Sequence, residues 1–186
     1  MFTTQQPKLL IAVIAIFTMF SACKKIKDAA NIDLNLTYGQ VTFTIPQITA
    51  AGATTLGESN VRFDIDSLIK NTNSALTMAN IKSVKITSCV VDILDGDVNN
   101  NFSALSSAKV SLTSNINSTK TMVAEIPSNP DVEAYSLTIP VNTTIELKDY
   151  FKATNFTYTI EGVARKTTSK PLSAKATIKY TLNAGL

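Results

Sequence analysis

Residues 172–182 read LSAKATIKYTL, and this stretch decides the fold. Leu172, Ala174, Ala176, Ile178, Tyr180 and Leu182 alternate with Ser173, Lys175, Thr177, Lys179 and Thr181. Side chains repeat every two residues along a strand, so the run predicts a strand with one face in a core and the other in water. A helix would bring 174, 178 and 182 together and scatter the other apolar positions around its circumference. Just before it, Phe156, Tyr158 and Ile160 alternate with Thr157, Thr159 and Glu161. Between the two runs Arg165 to Pro171 is polar and ends in proline, which predicts a hairpin with a long loop.

Working back toward the N-terminus, similar runs predict strands at 32–38, 41–45, 61–65, 81–94, 109–113, 121–126 and 135–139, with a further one at 143–147. Gly39-Gln40 supplies a turn that would fold the first two into a hairpin. Two short helical segments are expected, Ser67 to Ala75, capped by Asp66 or Ser67, and Lys148 to Ala153. Many short strands separated by turn signals predict an all-β, two-sheet sandwich, immunoglobulin-like or Greek-key, with a β-barrel as the alternative. The Trp and paired cysteines of immunoglobulin domains are absent, so the prediction rests on pattern alone.

Composition agrees with a folded domain. The 186 residues are 45% hydrophobic and only 17% charged, enough apolar material for a real core. Thr, Ser and Asn fill the polar positions, as suits the outer faces of strands. The formal net charge is +3. Removing residues 1–22 takes away Lys8 and no acid, which leaves +2, too little to argue for a nucleic-acid partner.

The N-terminus carries its own signal. Lys8 precedes Leu9 to Phe20 (LLIAVIAIFTMF), an apolar stretch of signal-peptide length and short for a membrane span. It ends in Phe20-Ser21-Ala22-Cys23. This resembles the lipobox of bacterial lipoproteins, in which small residues precede a cysteine that is acylated and becomes the first residue of the mature protein. Ser21, Ala22 and Cys23 match the pattern, and Phe20 stands where the family prefers Leu. The resemblance implies that residues 1–22 are a signal peptide, 23–31 a lipidated tether with Cys23 as the lipidation site, and 32–186 the domain proper. It also implies two or three acyl chains, and at ~0.8 kcal/mol per buried CH₂ these would anchor the protein to a membrane permanently.

Neither an Asp directly after Cys23 nor an acidic cluster follows; the sequence runs Lys24-Lys25-Ile26-Lys27-Asp28. A periplasm-facing outer-membrane location is therefore expected, with the cell surface or the inner membrane as alternatives, and the lysines lying against anionic headgroups. With Cys23 acylated, Cys89 has no partner within the chain; its neighbours Ile86, Val90 and Val91 predict a buried, inert thiol.

The chain contains no histidine, which removes Ser-His-Asp and Cys-His nucleophile systems and the usual zinc sites. Ser67–Lys70 and Ser106–Lys109 both fit S-x-x-K, similar to the nucleophile motif of penicillin-binding proteins, but the S-D-N motif of that family is absent. Asp64 and Asp66 share the polar face of the expected 61–65 strand with Arg62 and read as a solvated charge cluster.

The one candidate metal site is a loop. Asp95, Asp97, Asn99 and Asn101 place oxygens at alternate positions, as at the start of an EF-hand loop, so Ca²⁺ is the one cofactor to consider. The sixth position is Asn100 where that loop needs Gly, and the twelfth is Ser106 where it needs Glu. Asp-Gly and Asn runs also suit a tight turn.

An aromatic sugar platform is not indicated, since Trp is absent and Tyr158 and Tyr180 fall on core-facing positions. Lys175 and Lys179 form a stripe on the last strand of the kind that protects sheet edges. The expectation is a non-enzymatic, membrane-anchored β-sandwich that binds an envelope protein or glycan. An adhesin or shell subunit assembling by strand addition is one alternative, and a His-independent hydrolase another.

Overall fold

The computed structural model describes residues 31–62 and 64–185. The signal peptide, Cys23, all but the last residue of the tether, and Phe63 lie outside them. Eight strands run in chain order: β1 (Asn31–Ile45), β2 (Gly52–Arg62), β3 (Ile81–Ile93), β4 (Leu105–Ser114), β5 (Thr121–Ile126), β6 (Ser136–Thr138), β7 (Asn155–Ala164) and β8 (Leu172–Gly185). One α-helix, α1 (Ile65–Thr72), and short 3₁₀ turns at Met78–Asn80, Phe102–Ala104 and Tyr150–Lys152 complete the set.

The strands form two antiparallel four-stranded sheets, β1-β8-β3-β6 and β2-β7-β4-β5. This order is that of the double Greek-key jelly roll and not that of an immunoglobulin domain. The sheets are open, so the barrel alternative does not hold. The inward residues of both sheets make one core, and the alternation in 172–182 appears as expected, with Leu172, Ala174, Ala176, Ile178, Tyr180 and Leu182 all buried.

Several local expectations change. The last two strands are no hairpin: β7 pairs with β2 and β4, whereas β8 lies in the other sheet between β1 and β3. Their buried faces oppose each other across the core, and the connection at 165–171 is long enough to cross between sheets about 10 Å apart. Gly39-Gln40 is no hairpin turn either. β1 continues through it, with a register shift between Tyr38 and Val41, because β8 is long enough to template both halves of β1.

β8 is central, so Lys175 and Lys179 do not guard an edge; Lys175 reaches across to Asp92 on β3, 3.8 Å away. The expected 61–65 strand is instead the end of β2 followed by α1. Asp64 caps that helix, accepting hydrogen bonds from the Ser67 amide at 3.2 Å and the Ser67 hydroxyl at 2.7 Å. No strand forms at 143–147, and the helix expected at 148–153 is the 3₁₀ turn Tyr150–Lys152.

Candidate functional site

The two ends of the sandwich differ. β1 begins at Asn31 opposite Gly185, the end of β8, and finishes at Ile45 opposite Leu172. The β1–β2, β3–β4, β5–β6 and β7–β8 connections therefore share the end away from Asn31 and Gly185, and polar contacts weld them together. Ile48 and Thr168 join the first and last of them: the Ile48 amide donates to Thr168 Oγ1 at 2.9 Å, and the Thr168 amide to the Ile48 carbonyl at 2.9 Å. Asn100, almost fully buried, accepts from the Ser169 amide at 2.8 Å and donates to Ser169 Oγ at 2.9 Å. Asn129 Nδ2 donates to the Phe102 and Leu105 carbonyls, and Arg165 donates to the Asn129 carbonyl. Buried amides paired this completely hold the loops in one arrangement.

The 95–101 loop belongs to this end. Asp95 Oδ1 accepts from the Ser173 amide, Asp97 from the Asn99 amide and the Asn100 side chain, and Asn101 Oδ1 from the Ser103 amide. Lys170 brings its ammonium to 2.7 Å from the Asp95 carbonyl oxygen and 3.5 Å from Asp97 Oδ2. Of the residues expected to bind Ca²⁺, Asp95, Asp97 and Asn101 thus serve backbone amides, the Asn100 side chain and a lysine, while Asn99 gives its own amide to Asp97. The Asn99 amide, then the Asn100 side chain and Lys170, hold the Asp97 carboxyl below its ordinary value. No group of three or more His, Cys, Asp or Glu side chains placed to hold a metal occurs among the described residues.

Neither S-x-x-K serine meets its lysine. Ser67 is bound to Asp64 while Lys70 pairs with Asp66 at 2.6 Å; Ser106 donates to the Val163 carbonyl while Lys109 pairs with Glu161 at 3.5 Å. Cys89 is buried in apolar surroundings that push its thiol up to about 12. Tyr158, Tyr180 and Tyr150 are buried, so none of them is a sugar platform; the side chain of Tyr38 lies outside the description.

Sequence reasoning missed a groove of about 420 Å³ on the outer face of β2-β7-β4-β5, beside the welded loops. Two bulges shape it. β2 shifts register against β7 at Leu56, and β4 shifts against β7 at Ser106. Extra residues on both flanks of β7 bend the sheet there. Between them Gly162 permits close packing, since a Cβ at that position would stand 2.8 Å from the Ser107 carbonyl oxygen.

Across the groove runs one register row: Thr55 opposite Glu161, Glu161 opposite Lys109, Lys109 opposite Glu125. Lys109 stands between two glutamates, and Lys120 reaches Glu161 at 3.0 Å. The Lys120 hydrogen bond is the main cause holding the Glu161 carboxyl below its ordinary range, with Lys109 adding to it. The neighbouring row is Ala53, Val163 and Ser107, in which Val163 is 41% exposed.

The fold and site together define a jelly-roll sandwich with a built loop end and a polar groove beside it. No family model matches the chain, and no curated protein matches it. Among solved structures it is similar to a chain of infectious bursal disease virus, Gt strain (12% identity, TM-score 0.35, covering 85% of this chain and 34% of that one). It is also similar to the decameric BFDV capsid protein (10% identity, TM-score 0.34, 82% and 99% covered). A Parabacteroides distasonis protein described as secreted is similar too (10% identity, TM-score 0.35, 88% and 54% covered). The chain spans about a third of the infectious bursal disease virus chains. At these scores the likenesses carry no argument about function, and the fold assignment stands on the strand order.

Proposed function

We propose that this chain is a lipid-anchored protein of the bacterial envelope whose jelly roll binds an envelope component without catalysis. Cys23 is the lipidated residue, and the outer membrane, facing the periplasm, is the site of anchoring. The polarity of the sandwich carries the reading. The chain enters at Asn31, at one end of β1, while the welded loops and the groove lie at the other. A 15-residue strand rising about 3.3 Å per residue separates the ends by roughly 45–50 Å. A tether on Cys23 would hold one end at the bilayer and turn the loops and groove away from it. Both S-x-x-K pairs are divided between different partners, which favours binding over hydrolysis.

The test is fatty-acid labelling of cells producing the wild type and Cys23→Ala. The wild type is expected to incorporate label and to sediment with membranes, and the variant to lose both. Unchanged incorporation in Cys23→Ala would overturn the anchor.

One observation favours assembly by strand addition as a second reading. Residues 139–142 lie along the β5 and β6 side, with Glu125 N donating to the Pro140 carbonyl and Asn142 N to the Val123 carbonyl. On the opposite side β1 and β2 end their sheets, and among the described residues no strand is hydrogen-bonded to their outer edges, although the Phe43 ring of β1 packs on Gly57 of β2. Such edges are templates for pairing. Sedimentation that stays monomeric as concentration rises would dismiss this reading.

A further inference from the structure

We propose that the groove on the outer face of β2-β7-β4-β5 is a binding site for an uncharged glycan lying along the row Thr55, Glu161, Lys109, Glu125. The proposal rests on the binding reading above and does not depend on the lipid anchor. The groove's volume of about 420 Å³ falls within the ~300–1,000 Å³ typical of small-ligand sites, and its chemistry narrows the class.

Charge is balanced. Lys109 and Lys120 face Glu125 and Glu161, so a ligand of either sign meets as much repulsion as attraction. An apolar ligand would strip water from this row without replacing its hydrogen bonds, which is costly. An extended peptide is recognised through free main-chain groups at a sheet edge. Here the floor is β7 and β4, the middle of the sheet, with their backbone already committed to β2·β7, β4·β7 and β4·β5 pairing, and the free main-chain groups of the edge strand β2 lie in the plane of the sheet, directed away from β7 and from the groove. Single-stranded nucleic acid needs a positive track and stacking rings, and the groove residues supply neither.

A neutral sugar chain fits what remains. Its hydroxyls both donate and accept, matching the Lys109 donor, the Glu125 and Glu161 acceptors and the Thr55 and Ser107 hydroxyls, each of which can do either. Its C–H face needs a small apolar floor close to the backbone, which Ala53, Gly162 and half-exposed Val163 provide. Without an aromatic ring to stack on, affinity should be weak, in the high-micromolar to millimolar range, as suits a tethered protein meeting a polymer at many sites.

The experiment is an NMR titration of the full chain in detergent with cellohexaose, xylohexaose, mannohexaose and maltohexaose, and with hexagalacturonate as the charged control. At least one neutral hexaose is expected to shift the amides of 53–55, 107–109, 125 and 161–163. Lys109→Ala and Glu125→Gln should each weaken binding by about tenfold. Val163→Arg, which fills the groove from an exposed position, should abolish it, and Val98→Ser at the loop end should leave it unchanged. Each variant's thermal midpoint is measured alongside, and Val163→Arg decides the matter should another variant unfold. The proposal is overturned if no neutral hexaose shifts these amides at millimolar concentration, if hexagalacturonate binds tighter, or if Val163→Arg binds as well as wild type. Loss of glycan binding would leave fatty-acid labelling intact, so the two readings fail separately.

Discussion

The hydroxyls of Tyr158 on β7 and Tyr180 on β8 are hydrogen-bonded to each other in the core, tying one sheet of the jelly roll to the other. Both rings are buried, and Tyr180 also meets Phe151 edge-on at 4.9 Å. Removing one hydroxyl leaves its partner's polar atom in the core with one bond fewer, at a cost of about 1–3 kcal/mol, whereas removing both strands neither. Tyr158→Phe and Tyr180→Phe are therefore expected to destabilise singly by that amount, and the double variant by less than their sum. Urea midpoints of the four proteins measure the coupling; strict additivity would mean that the two hydroxyls do not act as a pair.

The two faces of β8 should answer differently to charge. Ile178 is buried at 2% exposure. Ile178→Asp should cost several kcal/mol, by desolvating a carboxylate or forcing it to stay protonated. Thr177, on the outer face, should accept Asp for under about 1 kcal/mol. Equal shifts in urea midpoint would contradict a strand with one buried side.

Acid should loosen the molecule. Hydrogen bonds lower the carboxyls of Asp64, through Ser67, and of Asp66, Asp131 and Glu161, mainly through Lys70, Lys166 and Lys120. A folded-state value below the unfolded one means that the unfolded chain binds protons first. The stabilisation is then present above the ordinary values of 3.8 and 4.5 and is lost as pH falls through the lowered ones. The thermal midpoint is expected to be flat from pH 7 to about 5 and to fall below pH 4. Because these groups are exposed, salt should shrink the effect. A midpoint that rises on acidification would refute this account.

Lys170 governs the 95–101 loop. Its ammonium lies where a cation between the Asp95 carbonyl and Asp97 would sit, so the wild type should give little heat with millimolar Ca²⁺, and Lys170→Met should give more. Identical titrations would show that the hydrogen bonds from Ser173, Asn99 and Ser103 to the loop's oxygens, and not the lysine, set its response.

Cys89 should resist alkylation in the native protein, because a thiol held up to about 12 is almost wholly protonated at neutral pH and is buried as well. Iodoacetamide is expected to modify it only after denaturation, with mass spectrometry of the peptide spanning residue 89 as the readout.

The sequence by itself determined which residues face inward. Two-residue alternation at 156–160 and 172–182 is a local property, and the burial of Phe156, Tyr158, Ile160, Ile178 and Tyr180 follows from it. The predictable part of the loop end was likewise local, in the Asp and Asn turn at 95–101. Tertiary structure alone decided which strands became neighbours. Alternation assigns a face but no partner, since every strand offers the same row of amides and carbonyls to whatever lies beside it. For that reason β7 and β8, adjacent in the chain, could face each other from opposite sheets, and Gly39-Gln40 could be carried as a register shift within β1 along a long β8. The groove row is the extreme case. Thr55, Lys109, Glu125 and Glu161 are dispersed over more than a hundred residues and carry no shared motif; they meet only because three strand pairings and two bulges set their register.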